Sequence, residues 1–282
     1  MTKDEARAQF VEMIARNECD LELDRAALLI AAEEYPYLDI EKRLDQISAF
    51  AELARATDDV AADPLTRIMR LGALLFDDLG FRGNSENYFD ARNSFLNDVI
   101  DRRAGIPITL SVLYIEIARR IGLKLFGVGL PGHFIVKFVG DDHEILIDPF
   151  NGGRLLSEQK CREMIQEMYN GEMLFTPDFL YAVSKKQILK RMLQNLKGIY
   201  SRAGDYHKTL EAIERMLILH NSEGPDAANE IRDRGLVYSR MKRYTRAMAD
   251  LEEYLKRAPQ AADAKEIKGR INQLRQKQAQ LN

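Results

Sequence analysis

Apolar residues recur every three or four positions along most of this chain, and the pattern breaks in one central block. Residues 21–34 set Leu23, Ala26, Ala27, Ile30 and Ala31 on one stripe, which predicts an amphipathic helix closed by Pro36. Residues 40–55 repeat the theme through Leu44, Ile47, Phe50, Ala51 and Ala54. Pro64 suits the first turn of a third helix, with Leu65, Ile68, Met69, Gly72, Leu75 and Phe76 along its face. Residues 80–87 (GFRGNSEN) read as a loop, and 93–103 as a short helix.

The texture changes after Gly105. Residues 107–121 (PITLSVLYIEIARRI) predict a buried helix, with Pro at its first turn and Gly122 just past its end. Short β-type runs follow at 126–130, 134–139 and 144–147, with Gly140-Asp141-Asp142 as a hairpin turn between the last two. Pro149 and Asn151-Gly152-Gly153 interrupt the pattern again. Helices, then one central helix, then an antiparallel meander make an α+β domain.

From Ser184 the chain reads as helical to its end, and two segments resemble each other. Asn195-Leu-Lys-Gly198-Ile-Tyr200 leads to Gly204-Asp-Tyr206, and Arg232-Asp-Arg-Gly235-Leu-Val-Tyr238 leads to Arg243-Tyr244. Each precedes a second amphipathic helix, at 209–219 and 247–257, and a last helix is expected at 263–281. The spacing exceeds the tetratricopeptide period of about 34 residues by a few positions, which a loop at 221–225 absorbs. Gly198 and Gly235 suit close helix crossings, with Ala212 and Ala247 on the partner helices. Helices of heptad character without a true repeat are the alternative.

Composition narrows the function classes. The 282 residues suffice for two domains, and 46% hydrophobic with 30% charged residues is a globular mixture. A net charge of −3 supplies no bulk field for nucleic acid or an anionic membrane. No run approaches the ~20 apolar residues of a membrane span, and the N-terminus lacks the apolar core of a signal peptide. Two cysteines, Cys19 and Cys161, make neither a disulfide framework nor a zinc motif. A cytoplasmic protein without metal or cofactor is expected.

The chemistry sits in Gly105-Ile-Pro-Ile-Thr-Leu-Ser111, Arg119-Arg-Ile-Gly122, Gly132-His133 and Ile147-Asp148-Pro149. This layout resembles transglutaminase-like thiol enzymes, in which a helix N-terminus stabilises a thiolate, a strand-borne histidine acts as its base and an aspartate orients that histidine. Counted back from Arg119 and Gly122, the family's cysteine falls on Pro107, which has no nucleophile. The chain as a whole resembles the SirB-type bacterial proteins, with a second-type transglutaminase core and a tetratricopeptide tail. That match runs through Asn87-Tyr-Phe-Asp-Ala-Arg-Asn-Ser94 and Gly129-Leu-Pro-Gly-His-Phe134 to Asp148-Pro-Phe-Asn-Gly-Gly153. The resemblance implies a transglutaminase-like (papain-like) domain over 1–183, helical over 1–104 with its core at 105–160, and an all-α repeat solenoid over 184–282.

Each candidate carries two readings. His133 and Asp148 are either a residual catalytic dyad or a structural pair, and the structural reading of Asp148 is the cap of a turn. Ser111, one turn beyond Pro107, is the substitute nucleophile to weigh, whereas Thr109 faces elsewhere. Arg92, Arg102 and Arg103 are a candidate anion site at the start of the 107–121 helix, with Asn87, Tyr88, Asp90 and Asn93 nearby; the alternative is an Arg92–Asp90 pair stapling the loop. Cys161 is expected to be a buried, inert thiol. The expected function is non-catalytic: a regulatory or scaffolding protein with a degenerate core and repeats that take a protein or peptide partner. The alternative is a hydrolase, protease or acyltransferase that uses His133 and Asp148 with an unusual nucleophile.

Overall fold

A computed structural model describes residues 1–141, 144–219 and 224–280, with 224–226 described in backbone alone. The chain divides into two compact units, 1–192 and 193–282.

The first unit opens with helices α1 (Lys3–Ala15), α2 (Leu23–Ala32), α3 (Ile40–Thr57) and α4 (Pro64–Gly72). The sequence pattern does not announce α1, which starts from a capping box between Thr2 and Glu5. Asp39 and Asp63 cap α3 and α4 by accepting backbone N–H groups, and Pro64 occupies the first turn as expected. The stripe on α4 matches the expected one in part. Leu65 and Met69 are 38% and 59% exposed, while Ile68, Leu71 and Leu75 are buried. The helix continues into a wider π-type turn over Ala73–Asp78, and the buried residues are Ile68, Gly72 and Leu75 of the expected stripe together with Leu71 and Leu74.

Strand β1 (Arg82–Gly83) follows inside the segment read as loop, then a 3₁₀ turn (Ala91–Ser94), α5 (Leu96–Arg102) and β2 (Ala104–Gly105), which pairs in parallel with β1. Helix α6 (Pro107–Arg120) is buried over nearly its whole length. Gly122 sits past its end at φ 81°, where a side chain would be strained. Strands β3 (Leu125–Val128), β4 (Ile135–Val139), β5 (Glu144–Asp148) and β6 (Arg154–Leu156) form the meander, and β7 (Ala182–Val183) pairs antiparallel with β3. The hairpin turn expected at 140–142 reaches Asp142, which lies outside the described residues. Val128, Ile135 and Leu146 face helix α7 (Glu158–Met168) through Cys161 and Ile165. Alternation turns Val136 and Ile147 to the other face, where α6 packs.

Helix α8 (Lys185–Ala203) belongs to both units. Sequence periodicity assigns all of it to the repeats, but its first residues are tied to the first unit. The Lys185 ammonium donates to the Leu21 carbonyl at 2.7 Å, and Arg191 donates to the carbonyls of Leu130 and His133, each at 2.7 Å.

The second unit adds α9 (Tyr206–Leu219), α10 (Gly224–Arg240), α11 (Tyr244–Arg257) and α12 (Ala264–Ala279). Its core joins Leu210, Ile213 and Leu217 to Ala227, Ile231, Leu251, Ile267 and Leu274. Gly235 serves the close crossing expected of it, since an added Cβ would stand 3.0 Å from Leu251 and 3.1 Å from the Ala247 carbonyl. Gly198 does not: a Cβ there meets nothing within 4 Å. The loop expected at 221–225 lies in its first part outside the described residues, and Gly224 and Pro225 already belong to α10.

Candidate functional site

His133 stands at the entry to β4, after a turn in which Gly132 takes φ 72°. A Cβ on Gly132 would lie 2.8 Å from the Met168 sulfur, so α7 packs directly on this turn. The turn is further fixed by the His133 N–H on the Leu130 carbonyl and by the Arg191 guanidinium on both flanking carbonyls. Burial draws that guanidinium below its usual range. Arg191 is the positioning residue that the sequence reading missed, because it lies in a helix whose pattern resembles the repeats.

Asp148 ends β5, two strands of an antiparallel ladder placing it beside His133. His133 Nε2 and Asp148 Oδ1 are 3.0 Å apart, with His133 8% and Asp148 0% exposed. The remaining acceptor capacity of the carboxylate is filled. Oδ1 also accepts the Asn151 N–H at 3.3 Å, and Oδ2 accepts the Asn151 amide at 2.7 Å and Arg154 at 3.5 Å. Burial alone would push this carboxyl up, but the hydrogen bonds from the His133 ring and Asn151, with the charge at His133, outweigh it and hold the group below the usual range. Asp148 therefore both caps the 3₁₀ turn Pro149–Asn151 and meets His133. The glycines after it, at φ 74° and 71°, allow the chain to turn back so that Gly153 donates to the Asp148 carbonyl. Phe150 sets its ring edge-on to both His133 and Tyr88, with centroids about 6 Å apart.

Among the described residues, no hydroxyl or thiol is hydrogen-bonded to the His133 ring. Pro107 occupies the first turn of α6. Thr109 serves as that helix's local cap: its hydroxyl donates to the Asn93 carbonyl at 2.7 Å and accepts the Ile106 N–H at 3.2 Å. The Ser111 hydroxyl is fully buried and has no partner. The Cys161 thiol is pushed up to about 11 by burial and by the Asp148 and Glu158 carboxylates, which leaves it protonated at neutral pH.

Of the three arginines of the candidate anion site, Arg92 and Arg102 meet on Asp90, and Arg103 packs on aromatic rings. Arg92 grips Asp90 with three hydrogen bonds, and Arg102 reaches the same carboxylate at 3.4 Å, so both guanidinium groups are already engaged by Asp90. Arg103 lies between the rings of Phe50 and Phe81, 4.5 Å from each centroid. Asn93 donates to the carbonyls of Asn87 and Tyr88 and is 0% exposed. Here the stapling alternative describes the geometry: these polar groups tie the loop to the start of α6.

The site thus sets a buried His133–Asp148 pair on neighbouring strands of a sheet that packs on the buried helix α6. Residues 39–194 match the transglutaminase-like superfamily, and residues 196–272 match the tetratricopeptide repeat. The chain belongs to the transglutaminase-like superfamily. A UPF0162 protein of Xylella fastidiosa (strain 9a5c) is 35% identical over 269 residues, covering 93% of both chains. One from Vibrio cholerae is 27% identical over 242 residues, covering 86% of this chain and 85% of that one. The human F-box only protein 21 is 33% identical over 139 residues, which is 46% of this chain and 21% of that protein. In this transglutaminase-like chain no described helix is long and apolar enough to cross a membrane.

Proposed function

We propose that this is a non-catalytic interaction protein, in which the repeats hold a protein partner and the His133–Asp148 pair locks the core. The observation that carries this reading is the occupancy around the imidazole. One ring nitrogen is bonded to Asp148, no side-chain nucleophile is bonded to the other among the described residues, and proline stands in the first turn of α6. An imidazole can activate only a group it can reach, and its orienting carboxylate is here fully committed to structure. The repeat unit carries the partner side of the proposal, because stacked helix pairs present extended surfaces suited to peptides.

The test is cross-linking mass spectrometry on partners captured by wild type and by a His133→Ala, Asp148→Ala double variant. Cross-links on residues 193–280, unchanged in the double variant, are expected. A partner linked beside His133 and released by the double variant would overturn the proposal. A second reading rests on the orphan hydroxyl of Ser111, which lies one turn beyond Pro107 and would make the core a serine-dependent acyl-transfer site. A fully buried hydroxyl with no base bonded to it supports that reading less well.

A further inference from the structure

A cavity of about 810 Å³ lies against the C-terminal half of α6 and includes neither residue of the His133–Asp148 pair. Its wall is apolar, built from Leu23, Ile115, Leu125, Phe126, Val183 and Ile188. The hollow lies beside a short strand: β7 pairs with β3 at two positions, Gly127 with Val183 and Val128 with Ala182, and the chain then turns into α8. The turn before α2 is drawn over the open edge, because the Lys185 N–H donates to Glu18 and its ammonium to the Leu21 carbonyl. A volume of this size, lined by hydrocarbon with a few charged groups at its edge, matches small-molecule sites of about 300–1,000 Å³.

The charges select the ligand. Arg119, Lys124 and Lys185 face Glu18 and Glu116 around the cavity. Glu116 is neutralised twice, by Arg119 at 2.9 Å and by Arg120 at 3.0 Å, and Lys185 is held on a backbone carbonyl. Lys124 is different. It is exposed, no carboxylate lies within ion-pair distance among the described residues, and its ammonium rests 5.4 Å from the centroid of Phe126, itself part of the wall. The rim therefore offers one uncommitted positive charge directly beside an apolar hollow. We infer that this cavity binds an amphipathic anion of the aliphatic carboxylate class, with its tail against Ile115, Leu125 and Val183 and its head on Lys124.

Cys19 lines the same cavity and is exposed, whereas Cys161 is buried, so a single thiol reports on occupancy. The experiment follows alkylation of Cys19 in the full chain while decanoate is titrated below its micelle concentration, with 1-decanol and decylammonium as neutral and cationic arms. Saturable protection by decanoate is expected, weakened about tenfold by Lys124→Gln, the order of one charge-assisted contact. Both other amphiphiles are expected to protect less. Val183→Trp, which places an indole in the cavity from an edge strand, should abolish protection, and its thermal transition checks that it folds; if it does not fold, the Lys124→Gln arm decides alone. Absent protection, protection unchanged by Lys124→Gln, or equal protection by decanol or decylammonium would overturn the inference.

Discussion

At the scale of single residues, the His133–Asp148 contact is a buried hydrogen bond with every acceptor filled, so either truncation leaves polar groups unmatched. Asp148→Ala should destabilise the protein by about 1–3 kcal/mol, the range for orphaning buried hydrogen-bond partners, as read by urea denaturation. A pH dependence follows from the lowered carboxyl. A carboxyl held lower in the folded than in the unfolded chain contributes stability that is complete above its unfolded value and fades as pH falls toward its folded one. The stability difference between wild type and Asp148→Asn should therefore be full at neutral pH and shrink below pH 3.8. The thiols give a second residue-level expectation. Near pH 8 a thiol reagent should modify Cys19 quickly and Cys161 only on unfolding, because the latter is fully buried and pushed up to about 11. Equal rates at the two cysteines in the folded protein would contradict this.

At the scale of elements, the two glycines that look alike in the repeats should behave oppositely. Gly198→Ala has open space and should stabilise the protein by about 0.5–1 kcal/mol through helix propensity. Gly235→Ala would press on the fully buried Leu251 and a backbone carbonyl, and should lose that gain or destabilise the unit; thermal melts of the two variants decide it. This pair also shows what was legible in the chain. Periodicity found α2, α3 and α6, the meander and the repeat helices, because their apolar stripes follow the helix or strand period without interruption. Along α4 and the π-type turn it found the buried Ile68, Gly72 and Leu75, but it also counted Leu65 and Met69, which are exposed, and passed over the buried Leu71. Strands β1, β2 and β7 are two residues each, too short to carry an alternation, and exist through pairing with distant partners. The dyad was legible from His133 and Asp148 before Pro149. Arg191 and the Asn151 amide were not, since a guanidinium bracing carbonyls sixty residues away leaves no local signature.

At the scale of the whole molecule, the chain joins a transglutaminase-like core to tetratricopeptide repeats, and its likeness to a UPF0162 protein runs over 93% of both chains. The core holds a buried His133–Asp148 pair on neighbouring strands and opens its central helix with proline. The claim that this core does not transfer acyl groups is tested most directly by intact-mass spectrometry after exposure of the full chain to an activated ester. Wild type is predicted to take up label only at Cys19 and at exposed amines, and at the same rate as His133→Ala. A single acyl group on Ser111 or Thr109 that disappears in His133→Ala would contradict it.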